Sequence, residues 1–95
     1  MTILEKVKMG LRITTTAYDD ELTDMIEAAE LDLGVAGVVL PSPTNALVTR
    51  AIITYCKANF GNPEDQERIK ASYDEQKAQL SNATGYTNWN GDQNV

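Results

Sequence analysis

Apolar residues recur through the first eighty positions at spacings of three and four, with no alternating run longer than three residues, so the pattern predicts helices and no sheet. Leu4, Val7 and Leu11, extended by the stem of Lys8, form one stripe over residues 2–11. Thr2 is placed to cap this helix, with Glu5 three residues on as its capping-box partner. The β-branched run Ile13-Thr14-Thr15-Thr16 favours extended backbone, and its threonines suit the cap of a second helix starting near Ala17. From Tyr18 to Leu33, the residues Leu22, Met25, Ile26, Ala29 and Leu33 define a single buried stripe.

Gly34, Gly37, Pro41 and Pro43 bracket Val38-Val39-Leu40, a loop whose apolar centre either closes over the core or faces a partner. Pro43 or Thr44 starts a third helix with two adjacent apolar rows, Leu47-Ala51-Tyr55-Ala58 and Val48-Ile52-Cys56-Phe60. Two rows imply burial on two sides, which makes this the central helix and places Tyr55 and Phe60 in the core. Gly61 ends it, and Asn62-Pro63-Glu64-Asp65 supplies an N-cap, a proline at the first helical position and acids in the first turn. The fourth helix, Pro63 to Leu80, has a narrow stripe of Ile69, Tyr73 and Leu80, with Glu67, Lys70, Asp74 and Lys77 spaced for ion pairs along its own surface. Residues 81–95 are rich in Asn, Gly and Thr and read as a flexible tail, although they include Tyr86 and Trp89. The expected fold is all-α: a compact bundle of about four helices over residues 1–80 with a flexible C-terminal tail over 81–95.

Composition narrows the chemistry. Ninety-five residues make one small domain, short of buried surface and readily stabilised against copies of itself. Fourteen acidic against eight basic residues give a net charge of −6, which disfavours a sequence-independent grip on nucleic acid. There is no histidine, so His-based triads and His-based metal sites are excluded. The one cysteine, Cys56, sits in an apolar run and reads as a core residue. Early charge in Met1-Thr2-Ile3-Leu4-Glu5-Lys6 predicts neither a secretion signal nor a membrane span, and hence a soluble chain made in a reducing compartment. No phosphate-cradling glycine loop, cysteine pair, HExxH or GxSxG occurs. Asp20 and Asp24, one turn apart, remain as a candidate for a divalent cation, but such sites draw ligands from several elements or from a glycine-containing loop. A DNA-reading third helix would offer only Arg50 and Lys57. The reading therefore assigns no catalytic, cofactor or metal residue.

The charge is unevenly placed. Asp19, Asp20, Glu21, Asp24, Glu27, Glu30 and Asp32 stand with no Lys or Arg between residues 17 and 34, and Glu30 and Asp32 fall near the negative end of the helix dipole, where they are unfavourable. The first segment is locally positive through Lys6, Lys8 and Arg12. The acid run reads first as a solvated helix face; alternatively these charges are satisfied within one subunit or between neighbours in a ring, and composition does not choose. Arg50 is likewise open between a solvated face and an interface.

Taken in order, Leu4-Glu5-Lys6-Val7-Lys8, Asp19-Asp20-Glu21-Leu22, Ile26-Glu27-Ala28-Ala29, Asp32-Leu33, Arg50-Ala51-Ile52-Ile53-Thr54-Tyr55, Lys57-Ala58-Asn59-Phe60-Gly61-Asn62-Pro63 and Tyr73-Asp74-Glu75-Gln76-Lys77 with Leu80 resemble the short all-α head–tail connector proteins of tailed bacteriophages, also described as phage DNA-packaging or head-completion proteins. The resemblance spans about 80 residues and rests on the set, not on one motif. It implies a structural virion protein without catalytic activity, made in the bacterial cytoplasm. Such proteins form a homo-oligomeric ring, commonly of twelve subunits, beneath the portal and join the DNA-filled head to a head-closure or tail protein. DNA passes through without specific binding, and no membrane is involved. On this reading Lys6, Lys8, Arg12, Asp24, Glu27, Tyr86 and Trp89 are candidates for the subunit or portal interface. The acidic helix either pairs with a neighbour's cations or lines the channel and repels phosphate, and the tail either orders on the portal through its aromatic anchors or stays disordered throughout. The alternative is a free acidic helical module, akin to a DNA mimic, that engages a basic protein. A carboxylate-based metal enzyme is the third reading.

Overall fold

The computed structural model describes residues 2–38, 46–61 and 63–82, which form four helices: α1 (Ile3–Leu11), α2 (Asp19–Val35), α3 (Ala46–Asn59) and α4 (Gln66–Asn82). Helix α1 starts as its sequence dictates. The Thr2 side chain accepts from the Glu5 amide at 3.1 Å, and the Thr2 amide donates to Glu5 Oε1 at 2.7 Å, which closes the capping box. That bond from the Thr2 amide holds the Glu5 carboxyl below its ordinary range.

Both α1 and α2 end in the same hydrogen-bonded turn. The Ile13 amide donates to Lys8 O and the Val38 amide to Leu33 O, with Arg12 and Gly37 in the left-handed region at φ 61° and 93°. Gly37 adopts that conformation freely, whereas Arg12 bears the side-chain cost. Closing the second turn brings Val38 into the core beside Leu33, so the apolar loop does begin over the core; Val39 to Asn45 lie outside the described residues. The start of α3 expected at Pro43 or Thr44 falls there too.

Two helix starts differ from expectation. Helix α2 begins at Asp19, not near Ala17, and no side chain caps it. The threonines are used earlier, where Thr15 Oγ1 accepts from the Ala17 amide at 3.2 Å to shape the approaching turn. Helix α4 begins at Gln66, not Pro63. The carbonyl of Asp65 accepts the first helical bond, from Ile69, so Pro63 and Glu64 belong to the preceding turn. The expected cap Asn62 lies outside the described residues. Gly61, at φ 67°, ends α3 as its position predicts. At that corner Gln66 Nε2 donates to Ala58 O at 2.9 Å and satisfies a carbonyl that the end of α3 leaves free. Helix α4 runs to Asn82, two residues into the segment expected to be tail, and 83–95 lie outside the described residues.

Helix α3 is central and packs against each of the other three. Val48, Ala51, Ile52 and Cys56 are fully buried and meet Val7 of α1, Leu22, Ile26, Ala29 and Leu33 of α2, and Tyr73 and Leu80 of α4 in one cluster. Burying a side chain such as Leu22 or Leu33 contributes about 1.5–3 kcal/mol. Met25, Tyr55 and Phe60 pack against the cluster while partly exposed. Phe60 meets the Tyr18 ring edge-on at 5.2 Å. Burial pushes the Cys56 thiol up to about 11, so it behaves as a small hydrophobe. Thr49 is also buried, at a position the apolar rows do not mark.

One polar cluster crosses from α2 to α4. The Tyr73 hydroxyl donates to Asp32 Oδ2 at 2.6 Å, Lys77 Nζ reaches the same oxygen at 3.1 Å, and the Lys77 ammonium stands 5.3 Å from the centre of the Tyr73 ring. Tyr55 of α3 packs edge-on against Tyr73 at 5.3 Å. Asp32 is therefore stabilised, contrary to the expectation from the helix dipole. Lys77 pairs across helices and not along α4, and Arg68 reaches back to Asp65, just before the helix, at 2.7 Å. The Tyr73 hydrogen bond holds the Asp32 carboxyl below its ordinary range, and burial with the same bond pushes the Tyr73 phenol well above its own.

Where α1 crosses α3, a Cβ on Gly10 would stand 2.8 Å from Ile53 Cγ2, a branched atom with little freedom to move. Gly10→Ala is expected to lower stability by about 1–3 kcal/mol in thermal unfolding despite its better helix propensity. In an Ile53→Ala background the same change is expected to be neutral or stabilising by up to about 1 kcal/mol. Tyr73→Phe keeps the ring and removes the hydroxyl, and its expected cost at neutral pH is about 1 kcal/mol, because the Asp32 side chain is 37% exposed. The depressed Asp32 carboxyl contributes above about pH 4 and is lost as pH falls through its folded pKa. The raised Tyr73 phenol contributes below about pH 10 and is lost as pH rises above that value. Urea unfolding of the two proteins should therefore show a gap that is widest between these limits and narrows above about pH 10.

Candidate assembly surfaces

The seven acids of α2 do not form one solvated face. Asp19 turns toward α1 and pairs with Lys8, Nζ to Oδ1 at 2.8 Å, with both side chains partly covered. Asp32 is held by Tyr73 and Lys77. Glu30 is half-buried. Asp20, Glu21, Asp24 and Glu27 remain exposed.

Helical spacing sets Asp20, Asp24, Glu27 and Leu31 in one row, opposite the buried Leu22, Ile26, Ala29 and Leu33. The row is acidic at its start and apolar at its end, where Leu31 is 72% exposed and the nearby Val35 is 87% exposed. Exposed leucine and valine side by side on a small subunit form a patch suited to contact.

Helix α3 has an outward row of its own. Leu47, Arg50, Thr54 and Lys57 lie away from Val48 and Ile52, and Leu47 is 57% exposed. Two shallow hollows flank this row. One, of about 310 Å³, lies toward α4 and is lined by Arg50, Thr54, Lys57, Arg68, Ile69, Ser72 and Gln76. The other, of about 150 Å³, lies toward α1 beside Gly10 and Ile53 and shares Arg50, Thr54 and Lys57. Neither lining contains a carboxylate among the described residues. The row is a basic surface on an acidic protein.

Of the residues singled out from the sequence, Asp24 and Glu27 are exposed on the α2 row, Lys6 and Arg12 are exposed on and just after α1, and Lys8 is engaged by Asp19 of its own subunit. Tyr86 and Trp89 lie outside the described residues. Sequence reading placed the positive partner surface on the first segment. It left open the basic row of α3, whose signal was the pair Arg50 and Lys57, seven residues apart on a helix with its opposite side buried. Asp20 and Asp24 share the acidic row. No group of three or more metal-ligating acids or thiols comes together among the described residues, and none of their helices is long and apolar enough to cross a membrane.

Comparison with curated proteins and with solved structures gives no match. The family model described as phage connector protein matches residues 3–87, a span that takes in all four helices. This four-helix chain, with unlike charge displayed on two separate helices and matched over nearly its whole length, belongs to the phage connector protein family.

Proposed function

We propose that this chain is the repeating subunit of a ring, twelve in the particle, that sits beneath the portal and joins the DNA-filled head to a head-closure or tail protein. Family membership supports a structural connector role in the virion. The observation that carries the ring reading is the separation of charge: an acidic row on α2 and a basic row on α3, each turned away from the core the two helices share. Surfaces of opposite sign that one subunit cannot bring together favour contact with the next copy, and a head-to-tail contact of that kind builds a ring when its rotation closes. DNA would pass through such a ring without a specific site, in keeping with the net charge of −6. Residues 1–80 would form the ring domain, and 81–95 would dock on the portal with Tyr86 and Trp89 as anchors.

Incubating the purified chain with portal-bearing heads should give particles that carry a full ring, counted by native mass spectrometry and seen by electron microscopy. Failure to bind such heads, with capture of a basic host protein instead, would replace this reading with that of a free acidic module. Deleting residues 81–95 is expected to abolish recruitment to heads while leaving the melting temperature of the helical domain within a few degrees of wild type. Unchanged recruitment would remove the tail from the portal contact.

A further inference from the structure

The outward rows of α2 and α3 match each other in charge, apolar content and spacing. Along α2 the row runs from Asp20 through Asp24 and Glu27 to Leu31, acidic first and apolar last. Along α3 it runs from Leu47 through Arg50 and Thr54 to Lys57, apolar first and basic last. Asp20 and Glu27 are seven residues apart, as are Arg50 and Lys57, so each pair spans roughly 10 Å of helix. Measured from the apolar end, Glu27 stands about 6 Å from Leu31 and Arg50 about 4.5 Å from Leu47. Laid antiparallel, the two rows bring acid to base twice and leucine to leucine once.

The geometry points to α2 of one subunit seated antiparallel on the outward row of α3 in the next, with Glu27 on Arg50, Asp20 on Lys57 and Leu31 against Leu47. This contact rests on the ring reading above and supplies the joint that would build the ring. The hollows on either side of the α3 row give the incoming side chains room without meeting a carboxylate among the described residues. Leu31 and Leu47 are two of the five large apolar side chains that the described residues leave exposed, and the contact covers both, with Val35 at its edge. The two rows lie on the outer sides of helices that pack against each other, so they cannot meet within one subunit, and each copy presents one of each. Duplex DNA is a poorer occupant of the α3 row. Among the described residues the cations lining the larger hollow are Arg50, Lys57 and Arg68, Arg68 is already paired with Asp65, and the net charge of −6 disfavours phosphate.

Charge reversal tests the contact in the full chain. All four charged positions are exposed, and circular dichroism melts of Arg50→Glu and Glu27→Arg should match wild type. Sedimentation equilibrium at low salt should show each single variant self-associating roughly tenfold or more weakly than wild type. An equimolar mixture of the two variants should recover association, because each supplies the sign the other lacks, and the double variant should recover it alone. No self-association of wild type up to millimolar concentration, or equal association of every variant, would overturn the contact. So would duplex binding by wild type that Arg50→Glu abolishes with association unchanged, which would make the α3 row a DNA surface. The same proteins are then added to portal-bearing heads. Equal recruitment of wild type and both single variants refutes this joint but leaves the head–tail reading standing, whereas absence of wild type from heads counts against that reading.

Discussion

Val48, Ala51, Ile52 and Cys56 have no exposure at all, and no single neighbouring helix could bury them. That burial draws α1, α2 and α4 around α3 and leaves only one side of α3 facing solvent. Because the covering helices spend their own apolar stripes inward, each displays a mostly polar side outward, broken by Met9, Leu31 and Val35, and the surface of the chain is the complement of one packing problem. The close approach of Gly10 to Ile53 belongs to the same demand: where α1 crosses α3 at this point there is no room for a side chain.

Polar interactions then decide which charges stay available. Asp19 and Asp32 sit near opposite ends of α2, and each is drawn to a different neighbour, Lys8 of α1 and Tyr73 with Lys77 of α4. These ties fix how α2 is rotated about its axis as well as where it lies. A rotation that broke them would carry the outward acids toward the core, so the two tethered carboxylates hold the exposed ones in place.

Local signals were legible in the sequence and distant ones were not. The Thr2–Glu5 box, the stripe Leu22-Ile26-Ala29-Leu33 and the central role of α3 follow from residues within a turn or two of each other, and the folded chain keeps them. The start of α4 was misplaced because Asn62-Pro63 and Asp65 both carry helix-start chemistry, and local rules do not rank them. Asp32 looked unfavourable because its partners Tyr73 and Lys77 lie 41 and 45 residues away. Thr49 hid because a threonine reads as polar while its methyl fits a packed interior. The acid run of α2 was visible from the order of residues, but the basic row was not, since Arg50 and Lys57 become a surface only once their helix is enclosed on its other sides.

The chain has no histidine, and its single thiol is held near 11 by burial. It therefore lacks the side chains that ordinarily change charge between about pH 5 and 8. Between those limits, whatever this pattern of acids and bases recognises answers to ionic strength more than to acidity. Within that range such a surface keeps one electrostatic identity, and salt is the lever that loosens it.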